Sequence, residues 1–195
     1  EFAIKQNRLF IFQIRNLPLK LNKNKNYSFN NKNYEILLNN IKKKINNLKT
    51  KNPTLYGSET IFSNMPDWNP AEMLGDKPNT LALSLYKELI TDKIWSKQRK
   101  LYGYKNVSPN PLLFDFAGMP YIDLRTDFNS LLPKHLNPKT SSLVVNYLVN
   151  KLRNNPALHD KVEFELMETC YSLLSKKRVN YLTPKHKNHY LSQLR

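Results

Sequence analysis

The first fifteen residues alternate in a way that predicts a β-hairpin. Two apolar runs, "EFAI" and "LFIFQIR", flank the polar "KQNR", which suits a turn. In the second run Leu9, Ile11, Gln13 and Arg15 share one face, and Phe10, Phe12 and Ile14 share the other. Pairing Ile4 with Phe10 sets Phe2 against Phe12 and Glu1 against Gln13. That register buries Phe2, Ile4, Phe10, Phe12 and Ile14 together and gathers Glu1, Gln13 and Arg15 on a polar face. A slip of one residue would scatter both sets.

After a connector at 16–34, Leu37, Leu38, Ile41, Ile45 and Leu48 recur at helical spacing and predict an amphipathic helix over 35–49. Residues 52–80 are rich in Pro, Asn, Asp and Gly and read as loop. Thr80 can cap a following helix with a stripe of Leu81, Leu85, Leu89 or Ile90, and Ile94, ending before Gly103. A second hairpin is predicted over 112–128, "PLLFDF" and "YIDLRTDF" joined by "AGMP". Its second strand would carry Tyr121, Asp123, Arg125 and Asp127 on one face. A helix over 140–153 follows, capped by Thr140 or Ser141, with Leu143, Tyr147, Leu148 and Leu152 inward. "KVEFELMETCYSLL" fits either a strand or a helix. The fold class is α+β, with no internal repeat.

Charge changes this picture less than its size suggests. The chain holds 31 Lys and Arg against 15 Asp and Glu, a formal +16, and a basic balance raises nucleic acid or an anionic membrane as partners. Between Lys20 and Lys51, however, nine lysines and one acid, Glu35, are interleaved with asparagine. Nucleic-acid readers set Arg among aromatics, so this stretch reads as a solvated basic linker and helix face. Lys42, Lys43 and Lys44 remain a weak polyanion candidate. The single cysteine, Cys170, excludes an internal disulfide or a cysteine-built zinc site. With no apolar run of bilayer-spanning length and no signal-peptide pattern, the expected compartment is the cytoplasm.

Two polar constellations carry candidate chemistry. In the first hairpin, the Glu1 and Gln13 oxygens suit Mg²⁺ and the Arg15 fork suits phosphate. In the middle of the chain, Asp67, Asn69 and Glu72 lie in "PDWNPAE", stiffened by Trp68 and two prolines. Arg125, flanked by Asp123 and Asp127, can bind a carboxylate or phosphate. It can equally form a buried Arg–Asp lock that holds loop 64–76 against the second hairpin. His135, His159, His186 and His189 read as loop or surface residues.

The motif "EFAIKQNRLFIFQIRN" resembles the closing strands of the ATP-grasp domain of the phosphoenolpyruvate synthase and pyruvate, phosphate dikinase family. Glu1, Gln13 and Arg15 fall on that family's Glu-aromatic-Ala … Gln-x-Arg pattern, although Asn16 stands where many members have Pro. Residues 65–107, 119–133 and 155–171 resemble the region that follows this domain in a PEP-synthase-like subgroup. These proteins are described as PEP/pyruvate-binding or PEP-utilising, and some are associated with surface-polysaccharide biosynthesis. The resemblance implies a Mg²⁺–ATP site in which Glu1 and Gln13 hold the metal and Arg15 contacts the terminal phosphates. It also implies phosphoryl transfer from ATP towards a pyruvate- or PEP-like substrate through a phosphohistidine. The family's Gly-Gly-x-Thr-(Ser/Cys)-His motif does not occur in the chain.

On this reading residues 1–18 are the last hairpin of an ATP-grasp domain, 19–52 a basic linker and helix, and 53–195 an accessory or inter-domain module. The chain is then a piece of a longer kinase and inactive alone. The alternative is a non-catalytic scaffold whose basic face meets a polyanion or a partner subunit.

Overall fold

A computed structural model describes residues 2–11, 31–50, 52–64, 69–159 and 179–193. The architecture is mixed α+β, with two small antiparallel sheets. The chain divides into two compact units, Glu1–Tyr34 and Glu35–Arg195.

In the first unit, β1 (Phe2–Lys5) and β2 (Arg8–Ile11) form an antiparallel hairpin. Its register corrects the expectation: Phe2 pairs with Ile11, Ala3 with Phe10, Ile4 with Leu9 and Lys5 with Arg8. The cause is the turn. Gln6 and Asn7 both have positive φ, 49° and 58°, the signature of a two-residue type I′ turn whose twist matches the strands. The expected register needed a three-residue loop. The apolar set is not buried as expected either, for Ile4 is 68% exposed and Phe10 also lies open. Phe12, Ile14 and the Glu1–Gln13 pairing lie outside the described residues.

The second unit is built around one buried helix. Strands β3 (Phe62–Ser63), β4 (Leu113–Phe116) and β5 (Met119–Asp123) form a sheet in the order β3-β5-β4. The β4–β5 turn is Ala117–Gly118, both residues at positive φ. Helix α5 (Leu124–Ser130) leaves β5 without a loop, and every one of its residues is buried. The expected strand "YIDLRTDF" therefore stops at Asp123. The Asp123 side chain accepts from Thr126 N and starts a helix there, a capping preference stronger than continued alternation.

Helices α1 (Asn31–Lys49) and α6 (Pro138–Asn154) both run longer than expected. On α1 the half-buried stripe is Leu38, Ile41, Ile45 and Leu48, with Leu37 outside it. On α6 the cap is Asn137, whose side chain accepts from Thr140 N, with Pro138 in the first turn. Val144, Val145, Leu148, Val149 and Leu152 face the core, whereas Leu143 is exposed. Gly57 lets the loop before β3 cross α6 closely: at its φ of +97°, a Cβ would sit 2.6 Å from Val145 Cγ1.

The region after residue 69 differs most from its pattern. Helix α2 (Pro70–Leu74) is capped by Asn69 and touches β5. Helix α3 (Thr80–Tyr86), capped by Asn79 rather than Thr80, runs into a π-helical turn (Lys87–Thr91) and then α4 (Ile94–Leu101). "LALSLYKELI" holds two interleaved stripes, and the core takes Leu83, Tyr86 and, partly, Ile90. Leu81, Leu85, Leu89 and Ile94, the expected inward face, are exposed. The π turn changes the helical phase between α3 and α4, so one stripe cannot serve both.

Helix α7 (Pro184–Ser192) and the residues before it close the unit. Val179, Leu182 and Tyr190 are buried, and Tyr181 stacks on Tyr147 with ring centroids 3.6 Å apart. The segment "KVEFELMETCYSLL" lies outside the described residues.

Candidate functional site

The densest polar cluster lies where β5 becomes α5. Asp123 accepts from Thr60 Oγ1 at 2.7 Å and from Thr126 N at 3.1 Å. Thr60 Oγ1 in turn accepts from Arg125 N at 3.1 Å. These bonds tie the start of β3 to the first turn of α5. Asp123, Thr60 and Arg125 are all buried.

The Arg125 side chain reaches the C-terminus of α1. Its Nη2 donates to Leu48 O at 3.1 Å and its Nη1 to Thr50 O at 2.9 Å. Nearby, Thr50 Oγ1 donates to Asn47 O. The last carbonyls of a helix have no partner within it and carry the negative end of its dipole. A guanidinium fork satisfies them in charge and direction. Arg125 is therefore a pin between α5 and α1.

The expected lock was a different one. Arg125 spends its fork on α1 and not on Glu72, which is exposed. Asp67 and Trp68 lie outside the described residues, as do Glu1, Gln13 and Arg15. Asp123 and Arg125 lie in one buried cluster, linked through Thr60 and a helix cap rather than along a strand face. Asp127, buried on the same helix, lies about 200° around the axis from Arg125, so the two do not share a face.

A cavity of about 280 Å³ opens beside this pin, lined by Asn47, Thr50, Asn52, Asn110, Asp123, Arg125 and Thr126 among others. Its rim is a small amide network. Asn52 Nδ2 donates to Asn110 Oδ1 at 2.8 Å, and Asn110 Nδ2 donates to Thr54 Oγ1 at 2.9 Å. One buried cation and one buried carboxyl share a wall of otherwise neutral groups. Such a space suits water or a small polar molecule. No group of three or more His, Cys, Asp or Glu able to hold a metal occurs among the described residues.

Burial pushes the Asp123 carboxyl above the usual carboxylate range, against the opposing pull of Thr60, Thr126 and Arg125. Burial likewise lowers Arg125, while Asp123 pulls it back up. A carboxyl raised in the folded state binds its proton more tightly there than in the unfolded chain. Its contribution is greatest below the unfolded pKa of about 3.9 and falls as pH rises through the folded value. Asp123→Asn keeps an oxygen for the cap and removes the ionisation. The stability of wild type relative to this variant should therefore fall between about pH 4 and pH 7. Urea unfolding at the two pH values checks it, and a wild type that gains on the variant instead would contradict the burial argument.

Other positioning groups escaped sequence reasoning. Asn129 donates to Tyr56 O and Arg125 O and accepts from Tyr56 N, each bond near 2.8–2.9 Å. Asn146 accepts from Ser58 N. Their signal is a lone amide inside an apolar helical run, "FNSLL" and "VVNYLV". Two histidines expected on the surface have structural partners: His189 Nε2 accepts from Asn137 N at 3.1 Å, and His186 Nδ1 lies 2.6 Å from Thr140 Oγ1. Both hold α7 to the N-terminal end of α6. Lys44, from the basic triplet, donates to Asp115 O and lies over the Phe116 ring. Lys42 and Lys43 are exposed.

Comparison with protein-family models, with curated proteins and with solved structures found no match. Among the described residues, no helix is long and apolar enough to cross a membrane.

Proposed function

We propose that this chain supplies the closing hairpin of a Mg²⁺–ATP site and the module that follows it in a phosphotransferase of the phosphoenolpyruvate synthase type. The carrying observation is co-linearity. The Glu1, Gln13 and Arg15 motif precedes the stretches at 65–107, 119–133 and 155–171 in the order the resemblance requires. Residues 2–11 form a tight antiparallel hairpin, while Glu1, Gln13 and Arg15 themselves lie outside the described residues.

In this reading Glu1 and Gln13 hold the metal, which when bound neutralises phosphate charge. Arg15 stabilises the charge that develops on the transferring phosphoryl group, the main task of a protein in such chemistry. The residues from 53 onward form an accessory module. Arg125 supports that assignment, because its fork serves the α1 carbonyls and leaves it poorly disposed to seize a substrate phosphate.

Calorimetric titration of Mg²⁺–ATP into the product of the complete open reading frame tests the nucleotide site. Saturable binding weakened by Gln13→Ala is expected. Absence of binding, or binding unchanged by the substitution, would overturn the proposal in favour of a scaffold.

A further inference from the structure

The most exposed large apolar residue of the described chain is Leu101, at 86%, followed in sequence by Tyr102 at 71%. Both sit at the C-terminal tip of α4, and the backbone there is firmly held. Tyr104 N donates to Arg99 O and Gly103 N to Lys100 O, with Gly103 at φ +88°. This is a Schellman turn. It aims Tyr104 back at the core and leaves Leu101 and Tyr102 projecting. Bonds from Lys105 N to Leu132 O and from Lys134 N to Gly103 O fasten the turn to the neighbouring loop. A rigid apolar tip gives up little entropy when it inserts elsewhere.

The exposed charges next to the tip along the described chain are basic. Lys97 lies one helical turn before Leu101, Lys100 adjoins it, and Lys134 adjoins Gly103; all three side chains are exposed. No acidic residue occurs in residues 93–114 or 128–159, the two stretches that meet here, and none in 179–193. The arrangement sets an aliphatic point and a tyrosine beside three exposed lysines, whose long stems can snorkel.

We propose that the Leu101–Tyr102 knuckle and its lysines dock this module on an anionic phospholipid bilayer. Lysines meet the headgroup charge, the tyrosine suits the interface and the leucine enters the acyl boundary. A nucleic acid fits less well, because an aliphatic side chain cannot stack on bases and these exposed cations are lysines. The inference is independent of the nucleotide site.

Co-sedimentation of the full chain with vesicles tests it. The chain should pellet with phosphatidylcholine vesicles containing about one third phosphatidylserine, and not with phosphatidylcholine alone. Raising salt from about 0.1 M to 0.5 M should weaken binding. The double change Leu101→Ser and Tyr102→Ser should reduce binding about tenfold. Lys97→Gln, Lys100→Gln and Lys134→Gln together should reduce it about a hundredfold, near fivefold per charge. All five positions are exposed, so both variants should melt as wild type does, which separates lost docking from lost folding. Failure to pellet with the anionic vesicles would overturn the proposal. So would pelleting that ignores the loss of Leu101 and Tyr102, or heparin binding through the same lysines without vesicle binding.

Discussion

Arg125→Ala should destabilise the second unit by about 3–5 kcal/mol, the range for removing one partner of a buried charged cluster. Three losses combine. The carbonyls of Leu48 and Thr50 lose charge-assisted donors, each worth about 1.5–3 kcal/mol. Asp123 loses its nearby cation while remaining buried. The removed side chain also leaves a gap beside an existing cavity. Against a typical total of about 5–15 kcal/mol this is a large share. Arg125→Lys should recover only part of it, since an ammonium cannot fork between two carbonyls. Denaturant unfolding measures the loss, and amide exchange at the end of α1 should rise before that of α5. A loss below about 1 kcal/mol would show that α1 is held by its apolar stripe alone. The Arg153–Glu59 pair offers the contrast: at 3.0 Å but largely solvent-facing, it should contribute no more than about 1 kcal/mol.

Arg15→Ala, in the product of the complete open reading frame, should lower ATP turnover about a thousandfold or more while leaving the melting temperature nearly unchanged. The magnitude follows from the role proposed. Phosphoryl transfer asks the protein for position and charge rather than covalent chemistry, and one arginine on the transferring group is worth about 10³–10⁵ in rate. Its loss should appear mainly in kcat, because the charge it answers is greatest in the transition state. A scaffold that keeps the hairpin only for its fold would lose nothing measurable. Steady-state kinetics with a thermal melt on the same sample separates the two.

Much of the fold was legible in spacing, and the errors share a cause. Helix α1 and its stripe of Leu38, Ile41, Ile45 and Leu48 follow from a period near 3.6, and the two hairpins from apolar runs around turn residues. Local stereochemistry overrode the pattern elsewhere. Positive φ at Gln6 and Asn7 shortened the first turn and moved the register by one residue. The Asp123 cap converted an alternating strand into a helix. The π turn and a choice between two apolar stripes turned Leu81, Leu85 and Leu89 outward.

The candidate site was half legible. Adjacency joined Asp123 to Arg125, but the target of the arginine lies at Leu48 and Thr50, more than seventy residues earlier. Backbone carbonyls leave no mark in a sequence. Only the packing of the end of α1 within the second unit brings those acceptors within reach.

The proposal of ATP-dependent phosphoryl transfer is tested most directly by phosphorus NMR on the complete open-reading-frame product, mixed with Mg²⁺–ATP and pyruvate. AMP, phosphate and PEP should appear with wild type and not with Arg15→Ala. ATP left intact would contradict the proposal and leave a scaffold.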